Sequence, residues 1–228
     1  MISRKVARYA PYASSIYREL LYSIIQSKKN RVMPFIPNNE TDSNEVKFFV
    51  RHDIDTKHCM KNMSLLLDID KSSGVQSGVY LLSDGKNYSL SEHRSVIQSY
   101  REAGFEIGLH TVCYIEDNYL KAFERETKEF ADNLGFRPRS FTVHGLGEYK
   151  LDVRIHFAEE IMGRLDEFGY TFTDCNLNMR AYDYVIEDCH WNESRKSRFI
   201  YDDFTRTPPF FKKGNNYLIL THPCYWIK

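Results

Sequence analysis

The chain has 228 residues, 42% of them hydrophobic, and its 31 basic side chains balance 31 acidic ones. That apolar share suffices for the core of one large domain or two small ones, and the absence of a basic stripe argues against nucleic acid as the main partner. No apolar run is long enough to span a membrane, and Met1-Ile2-Ser3-Arg4-Lys5-Val6 lacks an apolar signal core.

Residues 14 to 28 read as an amphipathic helix, with Ile16, Leu20, Ile24 and Ile25 near helical spacing. Residues 33 to 40 carry two prolines and polar residues and read as a loop. Residues 1 to 45 are therefore expected to form an accessory helical and loop segment, packed on a domain made from residues 46 to 228. From residue 46 onward, strands and helices alternate. Strand character falls at 46–50, 75–82, 105–109, 140–143, 170–173 and 217–221; helical character falls at 60–71, 90–103 and 116–134. Gly104 and Gly135 stand where the second and third of these helices should stop. Such alternation implies a mostly parallel α/β sheet. Asp or His recurs at the strand ends: Asp53 and Asp55, His110, His144, Asp174 and His222. In α/β barrels the C-terminal rim of the sheet is where active sites assemble.

The densest of these ends is Arg51-His52-Asp53-Ile54-Asp55. Residues i and i+2 of a strand share a face, so Asp53 and Asp55 should project together and His52 should point away into the core. Two adjacent carboxylates need a cation or a proton to compensate them. The motif thus points to a metal, to acid–base chemistry, or to a solvated turn that caps the next helix. His58 and Cys59 are expected to begin that helix.

In order, the motifs resemble those of the polysaccharide deacetylases, the family four carbohydrate esterases, in the branch whose first motif is His-Asp-x-Asp. Val46-Lys47-Phe48-Phe49-Val50-Arg51-His52-Asp53-Ile54-Asp55 is similar to the first motif, and Gly74-Val75-Gln76-Ser77-Gly78-Val79-Tyr80 to the second-strand pattern. Gly104-Phe105-Glu106-Ile107-Gly108-Leu109-His110-Thr111 resembles the glycine-rich strand that leads to a metal histidine. Phe141-Thr142-Val143-His144-Gly145 corresponds to the third motif, and Leu218-Ile219-Leu220-Thr221-His222-Pro223 to the last. The resemblance spans roughly residues 46 to 228. It implies a distorted, incomplete (β/α) barrel, a divalent metal, usually zinc, and hydrolysis of an N-acetyl group on an amino sugar. It further implies Asp53 as general base, Asp55 and His110 as metal ligands, and His222 as catalytic acid.

The chain departs from the pattern twice. The second histidine of the metal motif is replaced by Tyr114, and Thr142 stands near the place of the arginine that orients the base. His144 ends the next strand and could complete a three-ligand set with Asp55 and His110, leaving an open position as a catalytic zinc requires. Arg51 could replace the missing arginine by pairing with a carboxylate, or could lie on the surface. Arg51, Tyr114, Asp174 and Trp226 are the residues expected to meet substrate. Asp174 would hold a sugar hydroxyl or cap a helix. Trp226 and Trp191 would wall an acetyl or sugar face, or pack in the core. The five cysteines, Cys59, Cys113, Cys175, Cys189 and Cys224, show no CxxC spacing and fit a reduced, cytosolic setting. Cys113 reads as a packed thiol, and His93, His156 and His190 show no partner pattern.

The expectation is a cytosolic, metal-dependent N-deacetylase acting on a nucleotide- or lipid-linked amino sugar of surface-polysaccharide synthesis. The alternatives are a carbohydrate-binding pseudoenzyme and a hydrolase of another acyl amide such as N-formyl.

Overall fold

A computed structural model describes residues 12–27, 30–35, 45–83, 85–145, 150–174, 182–188, 199–201, 211 and 213–228. Its elements run β1 (Tyr12–Ala13), α1 (Ser14–Gln26), β2 (Asn30–Val32), β3 (Val46–Ile54), α2 (Lys57–Ser72), β4 (Gly78–Leu81), α3 (Arg94–Glu102) and β5 (Glu106–Thr111). They continue with α4 (Tyr119–Leu134), β6 (Ser140–Val143), α5 (Leu151–Met162), β7 (Phe172–Thr173), β8 (Tyr184–Glu187), β9 (Phe199–Tyr201), β10 (Asn216–Thr221) and β11 (Trp226–Ile227).

Eight strands lie in the order β7-β6-β5-β4-β3-β10-β8-β9, and β2 pairs with β3 off this path. Every pairing in this sheet is parallel. Among the described residues β7 and β9 do not pair with each other, so the sheet is an incomplete α/β barrel. One helix crosses over between each pair from β3 to β7, which returns every strand in the same direction. All C-terminal strand ends therefore face one rim.

The two faces of the sheet differ in chemistry. Outward residues such as Phe48, Val50, Val79, Leu81, Ile107, Leu109, Phe141 and Ile219 pack beneath the helices. The opposite face holds a smaller apolar group of Phe35, Tyr80, Val185, Leu218 and Leu220, with Phe49 and Phe172 against it. Going up β3 on that inner face, Phe49 is followed by Arg51 and then Asp53, so the interior changes from apolar to charged toward the rim.

The described residues before β3 are built into this sheet. α1 buries Tyr17, Leu20, Leu21 and Ile24 against the outer face of β3 and β10. β2 pairs with Val46–Phe48, while β4 pairs with the later residues Arg51 to Ile54 on the same side. Phe35 then donates its N–H to Gln76 O, and its ring closes the interior beside Gly78. A Cβ at Gly78 would stand 2.5 Å from the Phe35 ring, so the close approach requires glycine.

The expected strands and helices are present with altered ends. β3 runs four residues past the apolar stretch at 46–50, to Ile54. Its charged residues can stay in the ladder because each finds a buried partner, which removes the cost of desolvation. α2 begins earlier than expected, where Thr56 Oγ1 accepts from Cys59 N. α4 stops at Gly135, whose φ of 78° is the left-handed cap that glycine supplies. α5, β8 and β9, with the short β1, β2 and β11, have no counterpart among the expected elements.

Candidate metal and catalytic site

The rim gathers five residues from four of these strands. Asp53 is the last inward residue of β3, and Asp55 lies one residue beyond the strand end. His110 is on β5, His144 follows β6 directly, and His222 follows β10 directly. Asp55 Oδ1 lies 3.1 Å from His110 Nε2 and 3.5 Å from His144 Nδ1, and the two imidazole nitrogens are 3.0 Å apart. Three atoms with lone pairs thus converge from three strand ends.

Their chemistry and spacing fit a divalent cation. Four-coordinate zinc with bonds of about 2.0–2.1 Å to nitrogen sets neighbouring ligand atoms about 3.3 Å apart. Among the described residues, Asp55 Oδ1 is buried with no partner in hydrogen-bond geometry, as are Asp53 Oδ1 and His110 Nδ1. A buried carboxylate oxygen without a donor is costly unless a cation meets it. Burial alone would raise the Asp55 carboxyl; His110 and His144 outweigh it and hold Asp55 well below the usual carboxylate range. Asp55, His110 and His144 could therefore bind the metal as one carboxylate and two imidazoles. Such a set suits zinc among the borderline metals.

Asp53 flanks this group, with Oδ2 3.8 Å from His110 Nε2. Arg51 Nη2 donates to Asp53 Oδ2 at 2.7 Å, and Arg51 Nη1 donates to Asp174 Oδ2 at 2.7 Å and to Asp174 O at 3.1 Å. The guanidinium is fully buried and bridges two buried carboxylates across the barrel interior. Burial would raise the Asp53 carboxyl, but the charges of Arg51 first, then His110 and His222, together outweigh it and keep Asp53 below its ordinary value. Of the two readings of Arg51, it is the carboxylate pair that forms. Asp174 serves this bridge. Thr142 is buried nearby, and among the described residues its hydroxyl has no hydrogen bond.

His222 stands on the other side, with Nε2 3.6 Å from Asp55 Oδ2. Its Nδ1 pairs with Asp188 Oδ1 at 2.7 Å, and its backbone N–H donates to Asp188 Oδ2 at 2.7 Å. Trp226 Nε1 donates to the same Oδ2 at 2.6 Å. Burial would lower the His222 imidazole; Asp188 first, then Asp55 and Asp53, raise it well above its ordinary value. The Asp188 carboxylate thus favours the protonated imidazole of His222, whose Nε2 faces the ligand group.

Tyr114 and Trp226, expected at the substrate, are instead fully buried. The Tyr114 hydroxyl donates to His144 O, and the Trp226 ring packs on Tyr12 and Tyr17. Both stand behind the residues that reach the rim. Packing decides this, because an aromatic side chain placed just after a strand is drawn under the neighbouring helices.

His52 points outward as its strand position predicts. Its Nε2 lies 2.7 Å from Asp70 Oδ2 and its Nδ1 2.5 Å from Thr221 Oγ1, while the Tyr17 hydroxyl donates to Asp70 Oδ1 at 2.6 Å. This group locks β3, β10, α1 and α2 together beneath the site. Cys113 is a buried thiol, and His156 and His58 are exposed. Cys175, Cys189, His190 and Trp191 lie outside the described residues.

Asp188 and Glu187 are not among the site residues expected from sequence. Both close the short strand-like run Tyr184-Val185-Ile186, where the recurring pattern of an acid at a strand end would have found them. Glu187 is half-buried beside Asp188; burial lifts its carboxyl to about 7 against the opposing charge of His222.

No protein-family model matches the chain, and no curated protein matches it by sequence. Solved structures do match. The neighbours are a polysaccharide deacetylase and a CE4 family pseudoenzyme with two of its mutants. One is a polysaccharide deacetylase from Bacillus cereus, 15% identical, with a TM-score of 0.43 over 78% of this chain and 79% of that one. Another is a CE4 family pseudoenzyme from Bacillus anthracis, 11% identical, with a TM-score of 0.46 over 81% of this chain and 58% of that one. A mutant of that pseudoenzyme with restored enzymatic activity also matches, at 11% identity and a TM-score of 0.43, over 79% of this chain and 58% of that one. At identities this low and TM-scores below 0.5, the likeness assigns no activity to this chain.

Proposed function

We propose that the protein is a metal-dependent hydrolase that removes an N-acetyl group from an amino sugar. The observation that carries the reading is the convergence of Asp55 Oδ1, His110 Nε2 and His144 Nδ1 between two further titratable groups, Asp53 and His222. A bound divalent ion, zinc by its ligand chemistry, would polarise the acetyl carbonyl and acidify the attacking water. Asp53, kept ionised by Arg51, accepts the proton of that water. His222, kept protonated by Asp188, donates a proton to the nitrogen as the amide bond breaks. The two groups thus begin the cycle in the protonation states their roles require, because one is paired with a cation and the other with an anion. We further propose a cytosolic setting and a nucleotide- or lipid-linked precursor of a surface polysaccharide as substrate. Among the described residues no helix is long and apolar enough to cross a membrane.

The direct test is acetate release from nucleotide- and lipid-linked N-acetylamino sugars, before chelation, after it, and after adding zinc back. Chelation is expected to abolish release and zinc to restore it. Metal binding without release of any acyl group would instead favour a pseudoenzyme, and formate release an N-formyl substrate.

A pH profile tests the His222 assignment. Activity should fall as pH rises through the raised His222 value. Asp188→Asn removes the carboxylate charge 2.7 Å from His222 Nδ1 that raises it, so the alkaline limb should move to lower pH, with kcat reduced on the plateau. An alkaline limb that stays in place after Asp188→Asn would refute the pairing as the source of the proton donor.

A further inference from the structure

His144 lies one residue past the end of β6, so the strand ladder does not by itself fix it. Two hydrogen bonds hold its backbone instead. The His144 N–H donates to Thr111 O at 2.9 Å, and the His144 carbonyl accepts from the Tyr114 hydroxyl at 3.0 Å. Both partners belong to the stretch that follows His110: Thr111 is the next residue, and Tyr114 sits in the 3-10 turn Cys113–Ile115. That turn is anchored in its own right. Thr111 Oγ1 donates to the buried Glu126 at 2.5 Å, Val112 N donates to the same carboxylate, and Ile115 N bonds Val112 O. The Tyr114 ring is fully buried in the main apolar cluster, so its hydroxyl has little freedom.

His110 and His144 are therefore tied through one short segment, with a backbone bond on one side of His144 and a phenol on the other. We infer that Tyr114 is a positioning residue for the metal site. Its hydroxyl holds His144 so that Nδ1 stays 3.0 Å from His110 Nε2, the spacing of two ligands of one ion. The inference rests on the proposed metal site and adds a residue that touches neither metal nor substrate. Residues behind a ligand that fix its orientation are worth about 10–100-fold in metal affinity.

The test is a titration of cobalt(II) into the full-length, chelator-stripped protein. Visible absorption reports ligand geometry, a competing chromophoric chelator reports affinity, and thermal melting of the stripped proteins reports fold. Wild type, His144→Ala and Tyr114→Phe are compared; phenylalanine keeps the ring and removes only the hydroxyl. Tyr114→Phe is expected to bind cobalt about 10–100-fold more weakly, with an altered spectrum and wild-type melting. Should wild type bind no cobalt, or His144→Ala bind as wild type does, the metal-site reading falls, and the inference with it. Should His144→Ala lose binding while Tyr114→Phe binds like wild type, the inference alone falls. A weakening that only tracks lowered melting, with an unchanged spectrum, overturns it too.

Discussion

Asp53→Asn is expected to reduce turnover about 10²–10⁴-fold, the contribution of a positioned general base, and to leave cobalt or zinc affinity within a few-fold of wild type. The split follows from geometry. The ligand atoms belong to Asp55, His110 and His144, while Asp53 Oδ2 stands 3.8 Å from His110 Nε2 and is bonded to Arg51. Asparagine preserves the shape and still offers an oxygen to Arg51, but it has no carboxylate to receive a proton. Steady-state kinetics on the released acyl group, with metal content measured on the same samples, separate the two effects. The wild-type profile should also have a wide plateau. Asp53 is held below its ordinary value, so the acid limb lies low; His222 is held above its own, so the alkaline limb lies high. Turnover that survives Asp53→Asn, or metal that is lost with it, would exclude Asp53 as base.

Much of this site is legible in sequence because parallel strands sort it. Once β3, β5, β6 and β10 are recognised as parallel strands, Asp55, His110, His144 and His222 must share a rim, whatever the loops do. His52 is legible for the same reason, since the two-residue period sends it outward. The positions that escape depend on packing and not on period. Tyr114 and Trp226 follow strands by a few residues, where direction is set by 3-10 turns. Spacing alone therefore could not show that one phenol bonds a carbonyl and one indole bonds a carboxylate. Asp188 escapes because β8 is only four residues long and lies in a polar stretch. Its partner, Trp226, is 38 positions away. The reach of β3 beyond Val50 escapes because five residues with four ionisable side chains look like a loop. Only tertiary pairing, Arg51 with two carboxylates and His52 with Asp70, makes that stretch cheap to bury.

Arg51→Met is expected to destabilise the fold by about 3–5 kcal/mol, the cost of leaving a buried charge without its partner. The residue is 0% exposed, and its two terminal nitrogens reach Asp53 and Asp174 at 2.7 Å each. Removing it strands two buried carboxylates, which must then take up protons or water. Lysine would not restore the bridge, because a single ammonium cannot reproduce the two-sided fork of a guanidinium. Arg51→Met/Asp174→Asn should recover part of the loss, since one of the stranded charges is gone. The sign in pH follows from the same pair. In the wild type the Asp53 carboxyl is depressed, so its stabilising contribution is present above the unfolded carboxyl value and is lost as pH falls through the folded one. Without Arg51, burial dominates and raises the Asp53 carboxyl, so the acid limb of activity should move to higher pH even in protein that remains folded. Urea unfolding at neutral pH measures the first effect and a pH–rate profile the second. A loss below about 1 kcal/mol, the range of a solvent-screened surface pair, together with an unmoved acid limb, would mean that Arg51 neither supports the barrel interior nor sets the charge of Asp53.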